Sequence, residues 1–137
     1  MAKLIQIAAG LFRLPDGRIV LNRRGQSAPV SPGLLAFYGG HVDEGETPAQ
    51  AIKREIGEET SLNPEHLKFK FLANYKVKEM LDKEFFLYEV NVPNDRFEVY
   101  EGDGSESYLP EHILARMDIT QSVRFAFEEV VKNELAD

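Results

Sequence analysis

The chain has 137 residues, enough for one domain with a real core (1–137) and too few for two. Sixteen Lys+Arg against 23 Asp+Glu leave a net charge of −7, which argues against a duplex nucleic acid or a membrane surface as partner, while a small anion stays open because a bound cation inverts the local field. There is no Cys, which excludes disulfides, thiolate zinc sites and Cys nucleophiles, and the absence of a long apolar run or a signal-peptide pattern points to a cytoplasmic protein.

Residues 3–13 (KLIQIAAGLFR) are short and almost continuously apolar, as a strand buried on both faces would be. Leu14-Pro15-Asp16-Gly17 reads as a turn, and 18–23 (RIVLNR) as the returning strand. A loop follows over 25–33. A short strand is predicted over Leu34–Tyr38, ended by Gly39-Gly40. Thr47-Pro48-Ala49-Gln50 is a strong helix start: a capping Thr, Pro at the first helical position, and Gln completing a capping box. That helix should run to about Thr60, where Asn63-Pro64 blocks continuation. Residues 67–77 alternate apolar and polar, as a strand with one wet face does. A second such strand covers 84–92, joined to it across Met80–Lys83. Phe97–Tyr100 is a candidate short strand, and Gly102–Ser107 reads as a flexible loop. A last helix is predicted from about Thr120 to Leu135, with Val123, Phe127, Val130 and Val131 on one stripe. The fold class is α/β, a mixed sheet between helices.

Helix 48–60 carries its charges in an unusual way. At 100° per residue, Ala49, Ile52 and Ile56 form the core stripe. Glu55, Glu58 and Glu59 fall at i, i+3 and i+4, and Glu59 borders the apolar stripe. Like charges at this spacing repel, and the last turn of a helix prefers cations, so each acid costs a few tenths of a kcal/mol or more. Two readings fit. One is a solvated acidic face. The other is an oxygen-only cation site, which selects Mg²⁺ or Mn²⁺.

The loop before the helix separates them. Gly40-His41-Val42-Asp43-Glu44-Gly45-Glu46, seven residues, then Arg54-Glu55-Ile56-Gly57-Glu58-Glu59-Thr60-Ser61-Leu62 resembles the Nudix box, G-x5-E-x7-R-E-U-x-E-E-x-G-U. Gly40, Glu46, Arg54, Glu55, Ile56, Glu58, Glu59 and Leu62 match, and Ser61 stands where the motif has its last Gly. The resemblance implies an α/β/α sandwich and hydrolysis of a nucleoside diphosphate linked to another moiety, with Mg²⁺ or Mn²⁺ as cofactor. It implies Glu55, Glu58 and Glu59 as metal ligands, with the Gly40 carbonyl as a further one. It also implies that Arg54 pairs with Glu46 and fixes the loop. The general base comes from a later loop in many members. Glu101, in Glu101-Gly102-Asp103-Gly104, is the first candidate and Glu106 the second. Either could equally be a solvated acid.

Arg23 and Arg24, at the end of the second strand, are candidate phosphate contacts, though exposed strand-end arginines are common. Phe37, Tyr38 and Tyr75 could stack on a base or pack in the core. Nucleoside triphosphates, ADP-ribose and nucleotide sugars all stay open as substrates. A non-catalytic nucleotide sensor is the alternative to an enzyme, but such relatives usually lose box carboxylates and this chain keeps all three. The family is often dimeric, so a homodimer is compatible with the resemblance.

Overall fold

The computed structural model describes residues 4–130. Seven strands form one sheet: β1 (Ile5–Arg13), β2 (Ile19–Arg23), β3 (Leu35–Ala36), β4 (Tyr38–His41), β5 (Lys68–Val77), β6 (Met80–Asn91) and β7 (Ser105–Tyr108). The order is β3-β2-β1-β6-β5, with β4 on β1 and β7 on β2. The sheet is mixed, since β1 runs parallel to β6 and antiparallel to β2 and β4.

β1 lies at the centre, and its alternation sorts the core into two layers. Ala9 and Leu11 join Ile19, Leu21, Phe85, Leu87, Val123 and Phe127. Ala8 and Phe12 face the other way, against Val20, Val90, Ala51, Ile52 and Ile56. Successive side chains of a strand point to opposite faces, so a strand apolar at nearly every position is buried twice. The second layer is covered by α1 (Pro48–Glu59) and the first by α3 (Gln121–Phe125). The fold is thus an α/β/α sandwich, as the Nudix resemblance implies.

α1 begins as its sequence dictates. Thr47 Oγ1 accepts from Gln50 N, and Gln50 Oε1 accepts from Thr47 N. The core stripe differs by one position: Ala51, not Ala49, is buried with Ile52 and Ile56. The helix ends without needing a glycine, because Thr60 leaves it in an extended conformation at φ −138°, ψ 167°. Ser61 in the last Gly position of the box therefore strains nothing.

Other expectations change. The glycine pair does not end its strand: β4 runs through Gly39 and Gly40 to His41, paired with Ala8 and Ala9 of β1. β6 starts at Met80, so its hairpin with β5 is tighter than an 80–83 connection. Residues 97–100 form no strand, only a bridge between Thr60 and Val99. The segment read as a flexible 102–107 loop contains β7, held against β2. A short helix, α2 (Pro110–Ile113), adds an element that the hydrophobic pattern does not announce. The last helix starts on its Thr120 cap as expected and widens into a π turn over Ala126–Val130. Its predicted remainder, including Val131, lies outside the described residues.

Candidate active site

The end of α1 meets the middle of the sheet where two glycines remove the side-chain layer. A Cβ at Gly39 would lie 2.0 Å from Ala8 O, and φ of +140° there suits only glycine. A Cβ at Gly40 would lie 2.7 Å from the Glu55 carboxylate. Glycine at 40 thus lets the α1 carboxylates sit directly against the sheet backbone. Gly39 N donates to Glu59 Oε1 at 3.0 Å.

Glu55, Glu59 and Glu101 line one cavity together with Gly40, Arg24 and Asn22. Glu59 is 8% exposed. Burial first, then the charge of Glu55, push its carboxyl up to about 8. Burial also raises Glu55, opposed by its bond to Arg54. A buried acid and a half-buried one held close are an electrostatic cost that a divalent ion would remove. An all-oxygen donor set suits a hard cation, and the glycine cradle leaves room against Glu55, so these residues fit Mg²⁺ or Mn²⁺.

Glu58 stands apart from that pair. Its side chain is 55% exposed and bonds to Arg54 at 2.8 Å. Among the described residues, no three acidic or histidine side chains converge closely enough to hold an ion in this conformation. The i, i+3, i+4 spacing places three carboxylates on one arc, but it does not set their rotamers.

Arg54 organises this edge of the site. Its Nε and Nη2 donate to the two Glu46 oxygens at 2.8 and 3.1 Å, while Nη1 reaches Glu55 at 2.9 Å and Nη2 reaches His41 O at 2.9 Å. A helical wheel puts Arg54 about 100° from the acidic arc. Its long side chain swings back, so the guanidinium lies among the carboxylates. Hydrogen bonding to Arg54 holds Glu46 below the usual carboxylate range.

Arg23 and Glu106 are elsewhere. The Arg23 fork donates to both Glu106 oxygens at 2.7 Å, and its remaining Nη1 donates to Asp118 Oδ2 and Gly33 O at 3.0 Å. With its donors committed, Arg23 is not a free phosphate contact. Glu106, on β7, is held low by Arg23 and also accepts from Tyr108 Oη. It does not line the cavity, whereas Glu101 and Asp103 of the later turn do, and Glu101 is the one whose charge acts on Glu55 and Glu59. Arg24 lines the cavity, with its Nε on Val30 O at 2.7 Å.

A second cavity opens on the other side of the Gly39-Gly40 strand, with Ile7, Phe37, Met80, Lys83 and Phe85 in its walls and Arg24, Gly39, Gly40 and His41 shared with the first. Among the described residues, no acidic side chain lines it. Phe37 is available there, whereas Tyr38 is buried against Phe12 and Tyr75 is buried with its hydroxyl on Ser122. Sequence reasoning passes over Asn22. It is 5% exposed, lines the carboxylate cavity, and its Oδ1 has no hydrogen-bond partner among the described residues. An amide inside the apolar run IVLNR is the available signal.

The NUDIX domain model matches residues 4–132. The chain belongs to the Nudix family. It is 46% identical over 94 residues to an 8-oxo-dGTP diphosphatase of Haemophilus influenzae, covering 65% of this chain and 64% of that one. It is 36% identical over 83 residues to an 8-oxo-dGTP diphosphatase of Escherichia coli, covering 61% and 57% respectively. The alignments thus span about three fifths of these curated relatives. A crystal structure of a Deinococcus radiodurans protein superposes with a TM-score of 0.80 at 25% identity, over 90% of this chain and 81% of that one. The Nudix box of this chain occupies the glycine cradle and α1, where the buried acids are.

Proposed function

We propose that this Nudix protein hydrolyses the pyrophosphate bond of a nucleoside-diphosphate-linked substrate in the presence of Mg²⁺ or Mn²⁺. The observation that carries this reading is the pair of buried Glu59 and half-buried Glu55, set against a glycine backbone with their carboxyls raised and a third acid, Glu101, beside them. A fold selected for stability alone has no use for that arrangement.

Glu55 and Glu59 would hold the metal, with Glu58 and the Gly40 carbonyl as further oxygens. Held there, such an ion would supply charge neutralisation for the substrate's phosphates and a lowered pKa for a bound water. Arg54 orients Glu55 and ties the Glu46 loop to the helix. Glu101 accepts a proton as water attacks phosphorus, and the P–O bond to the departing phosphate breaks with its electron pair on that oxygen. Arg24 lines both cavities, which supports a role for it in meeting the phosphates. The neighbouring cavity, whose described walls include Ile7, Met80 and Phe85, suits the base, with Phe37 as a stacking surface.

Nucleoside triphosphates are the substrate class we favour, since the relatives named above are 8-oxo-dGTP diphosphatases. The test is a panel of 8-oxo-dGTP, dGTP, ADP-ribose and nucleotide sugars with Mg²⁺ or Mn²⁺, read by product release. Metal-dependent turnover, greatest on a triphosphate, is expected. Tight nucleotide binding without turnover on the whole panel would overturn the reading in favour of a sensor.

A further inference from the structure

The Glu101 turn is fastened at both ends. On one side, residues 98–100 are stitched to the C-terminal end of α1. Tyr100 N donates to Glu59 O at 2.7 Å, and Ser61 N donates to Glu98 O at 3.0 Å. The Ser61 hydroxyl adds a bond that glycine cannot make, accepting from Glu98 N at 2.8 Å. On the other side, the turn rests on Arg23. Asp103 N donates to Arg23 O at 2.7 Å, and Arg23 N donates to Gly104 O at 2.9 Å. A Cβ at Gly102 would lie 2.7 Å from Arg23 O, with φ at +97°. The glycine at 102 therefore serves close approach to the β2 backbone and does not signal a loose loop. The Arg23 side chain meanwhile locks β7 through Glu106, the 116–118 segment through Asp118, and the 25–33 loop through Gly33 O.

We propose that Ser61 is a positioning residue and that its hydroxyl, with the Arg23 backbone opposite, forms a two-sided clamp that holds Glu101 at a set place beside Glu55 and Glu59. The inference rests on the reading of Glu101 as general base. It also accounts for the departure from the family motif at Ser61, since the hydroxyl tightens the connection that leads straight into residue 101. Neither residue touches substrate. Their effect passes through Glu101, because an acid moved by about 1 Å loses up to roughly 100-fold in rate.

The experiment is a double-mutant cycle on full-length protein. Ser61→Ala removes the hydroxyl bond to Glu98 N, and Gly102→Ala, whose Cβ would meet Arg23 O at 2.7 Å, pushes the turn off the β2 backbone. Each is combined with Glu101→Gln. In the Glu101 background, kcat is expected to fall about tenfold with KM near wild type, whereas Ser61→Thr, which keeps the hydroxyl, is expected to hold kcat near wild type. In the Glu101→Gln background neither change should lower kcat further. Hydrogen exchange of the metal-free protein gives a readout besides activity: the Glu98 amide should exchange faster in Ser61→Ala and the Asp103 amide faster in Gly102→Ala. Equal kcat losses in both backgrounds would overturn the clamp and leave the base intact. A silent Glu101→Gln would overturn both. Unchanged exchange at Glu98 and Asp103 would overturn the clamp alone.

Discussion

Glu59→Gln tests the central electrostatic claim without any assay of turnover. Glu59 is 8% exposed, and its carboxyl sits at about 8 against an ordinary 4.5. Below pH 4.5 the folded and unfolded chains both hold the proton, and the site costs nothing. As pH rises past 4.5 the unfolded chain ionises first, so it gains stability relative to the fold until the folded group also ionises near 8. The difference between 8 and 4.5 corresponds to roughly 5 kcal/mol at full ionisation and about 3 kcal/mol at pH 7. In a domain of this size 3 kcal/mol is about 10 °C in Tm. The Gln side chain keeps an oxygen for Gly39 N–H and cannot ionise. Metal-free wild type should therefore lose Tm from pH 5 to 8, while the variant loses far less. The two should nearly coincide at pH 5, and the variant should be the more stable at pH 8. Adding Mg²⁺ or Mn²⁺ at pH 8 should raise wild type and leave the variant unmoved. Differential scanning calorimetry in chelator, then with added metal, measures all of this. Parallel pH profiles for the two proteins would refute the reasoning, because Glu59 would then titrate as a solvated acid.

Three further outcomes are expected. Gly40→Ala should keep a near-wild-type Tm but lose activity and metal affinity, because its Cβ meets only the movable end of Glu55; Gly39→Ala should destabilise the protein by several kcal/mol, because its Cβ meets backbone at 2.0 Å. Comparing melting curves and turnover of the two variants checks both claims. Arg54→Ala and Glu46→Ala should give similar losses of kcat/KM, with the double variant little worse than either, since the pair is bidentate at 2.8 and 3.1 Å; fully additive losses would sink the pairing. Excess EDTA should abolish turnover, and Mg²⁺ or Mn²⁺ should restore it.

Much of the site is legible in the chain because its signals are local. The box spacing runs through a helix, where 100° per residue converts sequence directly into direction. The cap at Thr47, the acidic arc and the break at Asn63-Pro64 are likewise settled within a few residues. The near-continuous apolar run of β1 announces a strand buried on both faces. What stays hidden depends on partners distant in sequence. Arg23 and Arg24 are chemically alike and adjacent, so nothing local says that one is committed to Glu106 and Asp118, 83 and 95 residues away, while the other faces the cavity. Glu106 stays in play as the second candidate base behind Glu101 until β7 pairs with β2 and turns it onto Arg23. The glycine at 102 looks like flexibility until the Arg23 backbone is seen to occupy the space a side chain would need. Glu59 shows the same division on a single residue. The wheel places it at the edge of the apolar stripe, but only the Gly39-Gly40 strand lying across it withdraws its water and drives its carboxyl up to about 8.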